Sequence, residues 1–225
     1  MIWEKCEEDF KKFLIDYNVI GIFEKPIKLK SGRYSYFYVN WRTIAEDVYL
    51  LDKLTDYLIS YTKYLKLDPD CFYGVPEGAT KLAIITQFKW AKFHKNYKPG
   101  VFTLSMGRGK PKDHGEPKDR LFLGFPKGNV VVLEDVSTTG QSLINCIQEL
   151  RNNNINILAI IALTNREEIR EDGSYFEDIL VKMGLTYYSM SNVTEILPLL
   201  NPQPDIAHQI EIYYKKYGIK EIAFR

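Results

Sequence analysis

Apolar positions recur along the chain with two different periods. Ile2, Cys6, Phe10, Phe13, Leu14 and Tyr17 fall three or four residues apart, which is one face of a helix, so residues 2–18 are predicted helical. Leu50, Leu54, Leu58 and Tyr61 repeat that spacing and predict an amphipathic helix over 47–67. Between such segments lie short apolar runs without helical spacing. CFYGV (71–75), VFTLSM (101–106), NVVVLEDV (129–136) and ILAIIALTN (157–165) read as buried strands, with helices predicted at 82–93, 138–153 and about 175–183. IKLKSG and YSYFYVN flank Ser31-Gly32 and predict a hairpin.

Buried strands separated by helices imply a parallel sheet covered on both faces, because each crossover helix must bury a sheet face. The expected fold class is therefore α/β, with a central, mostly parallel sheet flanked by helices. No internal repeat, low-complexity tract or Gly/Ser/Pro-rich linker divides the chain, so residues 1–225 are expected to form a single domain. Residues from 1 to about 45 are expected to form a small hood beside a core running from about 46 to 225.

Composition narrows the function classes. The 225 residues carry 30 Lys and Arg against 29 Asp and Glu, a net charge of +1 that supports neither a nucleic-acid wrapper nor a polybasic membrane binder. No apolar run approaches the roughly 18 residues of a membrane span. MIWEKCEEDFKKF, acidic and amphipathic, matches neither a secretory signal nor an Arg-rich transit peptide. Cys6, Cys71 and Cys146 are odd in number and widely spaced, which reads as free buried thiols in a reducing compartment. A soluble cytoplasmic protein with no nucleic-acid or membrane partner is the expectation. His94 and His208 are isolated and read as structural or surface residues, and no His/Cys/Asp cluster has transition-metal spacing.

The densest chemistry lies in VVVLEDVSTTGQS. A buried strand ends in two carboxylates, Glu134 and Asp135, and ligands of open α/β sheets bind outside such strand ends. Ser137, Thr138, Thr139, Gly140, Gln141 and Ser142 then lead into a helix. Small hydroxyl residues and a glycine at a helix N-terminus suit a phosphate cradle, and adjacent acids suit ribose hydroxyls or Mg²⁺. The alternative is an ordinary capped strand-to-helix turn. The lysine of a P-loop is missing, which disfavours nucleoside triphosphate hydrolysis. A second segment, GRGKPKDHGEPKDR (107–120), contains no aliphatic or aromatic side chain and is expected to be a mobile loop. Its cations suit closure over a pyrophosphate; a solvated surface excursion is the alternative.

The 130–142 string resembles the phosphoribosyl diphosphate (PRPP) signature of the type I phosphoribosyltransferases. That resemblance implies their fold, with Glu134 and Asp135 on the ribose hydroxyls and residues 137–142 on the 5′-phosphate. KDHGE (112–116) resembles the catalytic loop of the orotate phosphoribosyltransferase family, which implies that Arg108, Lys112 and His114 contact the diphosphate from a neighbouring subunit. A homodimer with its lid acting in trans is thereby implied. Gly109 departs from the Arg-Lys usual at this point, and Lys110 is the candidate replacement. LKSGRYSYFYVN (29–40) resembles the family's LKSGRxSPYFxN, implying that Lys30 approaches orotate and PRPP and that Phe37 and Tyr38 line the base pocket. Tyr36 stands where a Pro is usual, and Val39 where some members have Phe.

GVPEGATKLA (74–83) resembles the pyrophosphate loop, here Val75, Pro76, Glu77 and Gly78. Glu77 is unexpected there, and either faces solvent or helps hold Mg²⁺. In ALTNREE (162–168), Arg166 matches an arginine that pairs with the orotate carboxylate, while Asn165 replaces the usual Asp; Thr138 is also assigned to orotate. The resemblance spans about residues 29–168 and leaves 190–225 without a functional reading. It implies transfer of the phosphoribosyl group of PRPP to orotate, giving orotidine 5′-monophosphate and pyrophosphate, a step of pyrimidine (UMP) synthesis. Lys112, Arg108, His114 and Asp135 are the expected catalytic residues. Mg²⁺ is the expected cofactor, bound mainly through PRPP rather than by dedicated protein ligands. Two alternatives stand beside this reading: a phosphoribosyltransferase for another base, and a non-catalytic PRPP-sensing regulator.

Overall fold

The structure, a computed structural model, describes residues 2–109, 112–114 and 120–224. The chain opens with helix α1 (Trp3–Asp16) and an antiparallel hairpin of β1 (Ile20–Lys28) and β2 (Tyr34–Val39). A short α2 (Arg42–Glu46) leads to α3 (Val48–Tyr64), whose N-cap Asp47 accepts a 2.9 Å hydrogen bond from the Leu50 amide. The α/β alternation then begins: β3 (Cys71–Gly74), α4 (Thr80–Lys92), β6 (Asn129–Ser137), α5 (Gln141–Asn152), β7 (Asn156–Asn165), α6 (Phe176–Lys182) and β8 (Tyr187–Ser189). These strands form a parallel sheet in the order β3-β6-β7-β8. Two short strands, β4 (Met106–Gly107) and β5 (Phe122–Leu123), pair antiparallel outside it.

Residue parity explains why the strands read as unbroken apolar runs. In β6, Val131 and Leu133 face one core cluster and Val130 and Val132 the other, and all four are fully buried. Phe72 with Ala159 and Ile161 join the first cluster, while Cys71 and Tyr73 with Ile160 join the second. The first cluster also takes in α1, the hairpin and the last helix; the second lies under α5 and α6. All three cysteines are free and buried, as their spacing implied.

The strand expected at 101–106 is corrected. Only Met106 pairs, and with β5 rather than with the sheet. The Thr103 carbonyl is taken at 3.0 Å by the Gln87 side chain, and Val101 and Leu104 are exposed, so residues 101–104 neither enter a ladder nor fill the core. Beyond β8, which the sequence reading did not assign, come α7 (Val193–Ile196), a 3₁₀ turn and α8 (Pro204–Tyr217). Among the described residues no helix is long and apolar enough to cross a membrane.

Candidate active site

β6 runs beyond its apolar stretch and delivers both acids to the sheet's C-terminal edge. Glu134 is only 6% exposed, and burial holds its carboxyl well above the ordinary carboxylate range. The Asp135 charge acts in the same direction, and the field of Lys30, exposed at the hairpin tip, opposes both. The cradle turn follows immediately. Gly140 caps α5 with φ 67°, and a side chain there would begin 2.6 Å from Phe176. Glycine is therefore required twice, by conformation and by space. Thr138 and Thr139 are half-buried beside it, while Gln141 and Ser142 are exposed at the helix start, where the first amides have no intrahelical acceptor. Those amides, aimed past a glycine, are suited to an anion.

The turn at residues 75–78 closes on these acids. A Cβ on Gly78 would sit 2.2 Å from Asp135 Oδ2, so only a glycine lets the turn reach the carboxylate. Val75 is buried, Pro76 and Gly78 are half-buried, and Glu77 is exposed. The base of the 107–120 loop crosses the same turn. A Cβ on Gly107 would meet Pro76 at 2.8 Å and the Tyr73 hydroxyl at 2.2 Å, and one on Gly109 would meet Glu77 Oε1 at 2.8 Å. Gly109 and Glu77, both unexpected in the sequence, are thus neighbours. Beyond the β4–β5 pair, the Arg108 amide donates to the Leu121 carbonyl at 2.9 Å and the Lys112 amide to the Arg120 carbonyl at 3.0 Å. Lys112, Asp113 and His114 are exposed. Lys110 and Glu116, singled out in the sequence, lie outside the described residues.

The hairpin residues expected at the base lie on two different faces. Side chains alternate along β2, so Phe37 and Tyr38 point to opposite faces and cannot line one pocket. Phe37 is fully buried, stacked on Tyr214 with centroids 5.9 Å apart and covered by the Arg166 guanidinium at 4.2 Å. Tyr38 is exposed and shares its face with Tyr34 and the half-buried Tyr36. The accessible aromatics of this strand are therefore its tyrosines.

Arg166 is likewise closed off. It is 2% exposed; its Nε and Nη2 meet Glu168 Oε1 at 2.7 and 2.6 Å. Arg33 Nη1 holds Glu168 Oε2 at 2.9 Å, and the Tyr213 hydroxyl donates to the same oxygen at 2.9 Å. A fully buried carboxylate between two guanidinium groups satisfies the rule that buried charge is paired, and this explains why Arg166 does not present an open fork. Arg33 lies inside the quoted hairpin motif but had no assigned role, and Glu168 and Tyr213 were not singled out at all. A further arginine was missed: Arg170 Nη1 donates to the Thr139 carbonyl at 2.6 Å and Nη2 to Gln141 Oε1 at 2.9 Å. Its partners lie 31 and 29 residues earlier in the chain, where no local pattern signals them.

A parallel sheet flanked by helices, with two acids at a strand end and a glycine-capped turn after them, has the fold of the type I phosphoribosyltransferases. The named homologues are more particular: they are orotate phosphoribosyltransferases, 25–29% identical over most of the chain. The Aquifex aeolicus enzyme is 29% identical over 188 residues, covering 82% of this chain and 94% of the relative. Among solved structures, the orotate phosphoribosyltransferase of Aeropyrum pernix superposes with a TM-score of 0.61 at 25% identity, covering 86% of this chain and 99% of that one. That of Francisella tularensis superposes with a TM-score of 0.68 at 20% identity, covering 93% and 99%. No family model matches the chain.

Proposed function

We propose that the protein transfers the phosphoribosyl group of PRPP to orotate, forming the bond from the ribose anomeric carbon to the pyrimidine nitrogen as the bond to pyrophosphate breaks. The observation that carries this reading is that β6 ends in the acid pair and runs directly into the glycine-capped turn, while the Gly78 turn packs against Asp135 at the same sheet edge. In this reading Ser137, Thr138, Thr139, Gly140, Gln141 and Ser142 hold the 5′-phosphate through backbone amides and hydroxyls. Asp135 and Glu134 accept from the ribose hydroxyls. The turn at Val75, Pro76, Glu77 and Gly78 receives the leaving group, and Lys30 faces both the acids and the incoming carboxylate.

Charge develops on the departing pyrophosphate, so fixed cations aimed at it lower the barrier more than they strengthen substrate binding. Arg108, Lys112 and His114 are assigned that role, with the loop closing over the site and excluding water. In a homodimer the loop would come from the neighbouring subunit. Among the described residues no group of three His, Cys, Asp or Glu side chains could hold a metal ion. The half-buried Asp135 beside the Gly78 turn nevertheless fits a Mg²⁺ that arrives on PRPP oxygens, since this ion commonly takes one carboxylate plus substrate phosphates. Mg²⁺ would neutralise diphosphate charge there. Tyr36 and Tyr38 replace Phe37 as the aromatic surface for the base, and Arg166 meets the orotate carboxylate only when Glu168 releases it. A soluble cytoplasmic enzyme of pyrimidine synthesis completes the proposal.

The test is the loss of orotate absorbance on mixing the protein with orotate, PRPP and Mg²⁺, with Mg²⁺ omitted as control. Mg²⁺-dependent loss supports the reading. PRPP binding without loss of orotate would move the function to another base or to PRPP sensing.

A further inference from the structure

The turn read as the phosphate cradle is braced from behind by an arginine. Arg170 lies in the segment after β7, and its guanidinium spans the apex of the turn. Nη1 meets the Thr139 carbonyl on one side of Gly140, and Nη2 meets Gln141 Oε1 on the other. The arginine is fixed in turn by its own backbone. Its amide donates to the Ser174 carbonyl at 2.8 Å, and its carbonyl accepts from the Gly173 amide at 3.1 Å, so residues 170–174 form a tight loop. That loop leads directly into Phe176, the ring on which Gly140 rests. Turn and support are therefore clamped at two points by one short segment. Among the described residues the buried Arg170 Nε has no hydrogen-bond partner, and the two terminal nitrogens of the guanidinium both bond to the turn.

We propose that Arg170 is a positioning residue for PRPP: it fixes the Thr139–Gln141 turn so that the amides from Gly140 onward point at the 5′-phosphate before substrate arrives. This rests on the reading of 137–142 as the PRPP cradle. The physical basis is twofold. A charged donor on the Thr139 carbonyl holds that peptide with its carbonyl turned toward the arginine and its amide face toward the ligand. A planar fork with two bonds restrains orientation as well as position, which a lysine cannot reproduce. A pre-ordered cradle avoids the ordering cost at binding, so the effect belongs to PRPP and not to the base.

The experiment compares native protein with Arg170→Ala, Arg170→Lys and Gln141→Ala, measuring PRPP binding by calorimetry together with the separate KM values and kcat. Arg170→Ala should weaken PRPP binding and raise its KM roughly tenfold, the loss expected for a hydrogen bond from a charged group, with the orotate KM and kcat changing less than about twofold. Arg170→Lys should recover only part of the loss. The Arg170→Ala/Gln141→Ala double variant should lose less than the sum of the single effects, because the two residues share a bond. Unaltered PRPP affinity in Arg170→Ala overturns the assignment, as does an equal loss of PRPP and orotate affinity, which marks general loosening. A native protein with no PRPP affinity overturns the cradle reading itself, and is distinguished by failing before any substitution is made. If Arg170→Ala does not fold, the milder Arg170→Lys and Gln141→Ala variants carry the same test.

Discussion

Glu134 is a carboxyl in surroundings that disfavour its charge: it is buried, and it sits beside a second acid. A raised native pKa means that the folded protein binds this proton more tightly than the unfolded chain does. Its contribution is therefore fully present below the ordinary carboxyl range and is lost as pH rises from that range toward the raised value. Glu134→Gln should flatten this part of the stability profile and raise the thermal midpoint at about pH 8, as melting curves across pH would show, while weakening PRPP binding. Lys112 presents the opposite case, an exposed cation with no packing role to lose. Lys112→Ala should lower turnover by about a hundredfold while changing PRPP affinity far less, consistent with charge stabilisation felt only in the transition state. An unchanged kcat would remove it from the mechanism.

Among the elements, the β6–α5 turn was the most legible, since an apolar strand, two acids, small polar residues and a helix follow one another in sequence. Its glycine is specified by two independent constraints. Gly140→Ala should cost about 1–3 kcal/mol through left-handed strain and collision with Phe176, read out by urea unfolding, and should raise the KM for PRPP. The hairpin was also legible as a hairpin. Alternation on β2 was available in the sequence, and it separates Phe37 from Tyr38 before any coordinates are known. The run at 101–106 misled because apolar composition alone does not say whether a neighbouring strand exists to complete its hydrogen bonds.

For the whole molecule, the decisive element is the one that carried no motif. α8 returns across the hairpin and closes the buried charge network: the Tyr213 hydroxyl bonds Glu168, and the Tyr214 hydroxyl donates to the Arg166 carbonyl at 2.8 Å. The segment after it continues the closure, with the Ile219 amide on the Glu167 carbonyl and Lys220 paired to Glu167. Helix α8 and the residues after it to Lys220, which carry no motif, thus form the wall behind Arg166. Glu168→Ala should leave Arg33 and Arg166 buried without their shared anion and cost about 3–5 kcal/mol, measurable by denaturant unfolding.

The sequence by itself determined the parallel α/β architecture, the acid pair at a strand end and the glycine-bearing turn that follows it. Each of these is written in contiguous residues, where hydrophobic period, strand-end position and local composition act together. Only the tertiary structure decided which cations stand open and which are closed, where the aromatic faces point, and what supports the cradle. Arg33–Glu168 spans 135 residues and Arg170–Thr139 spans 31. Such pairings depend on how layers stack and which charges burial forces together, and a one-dimensional pattern holds no record of that.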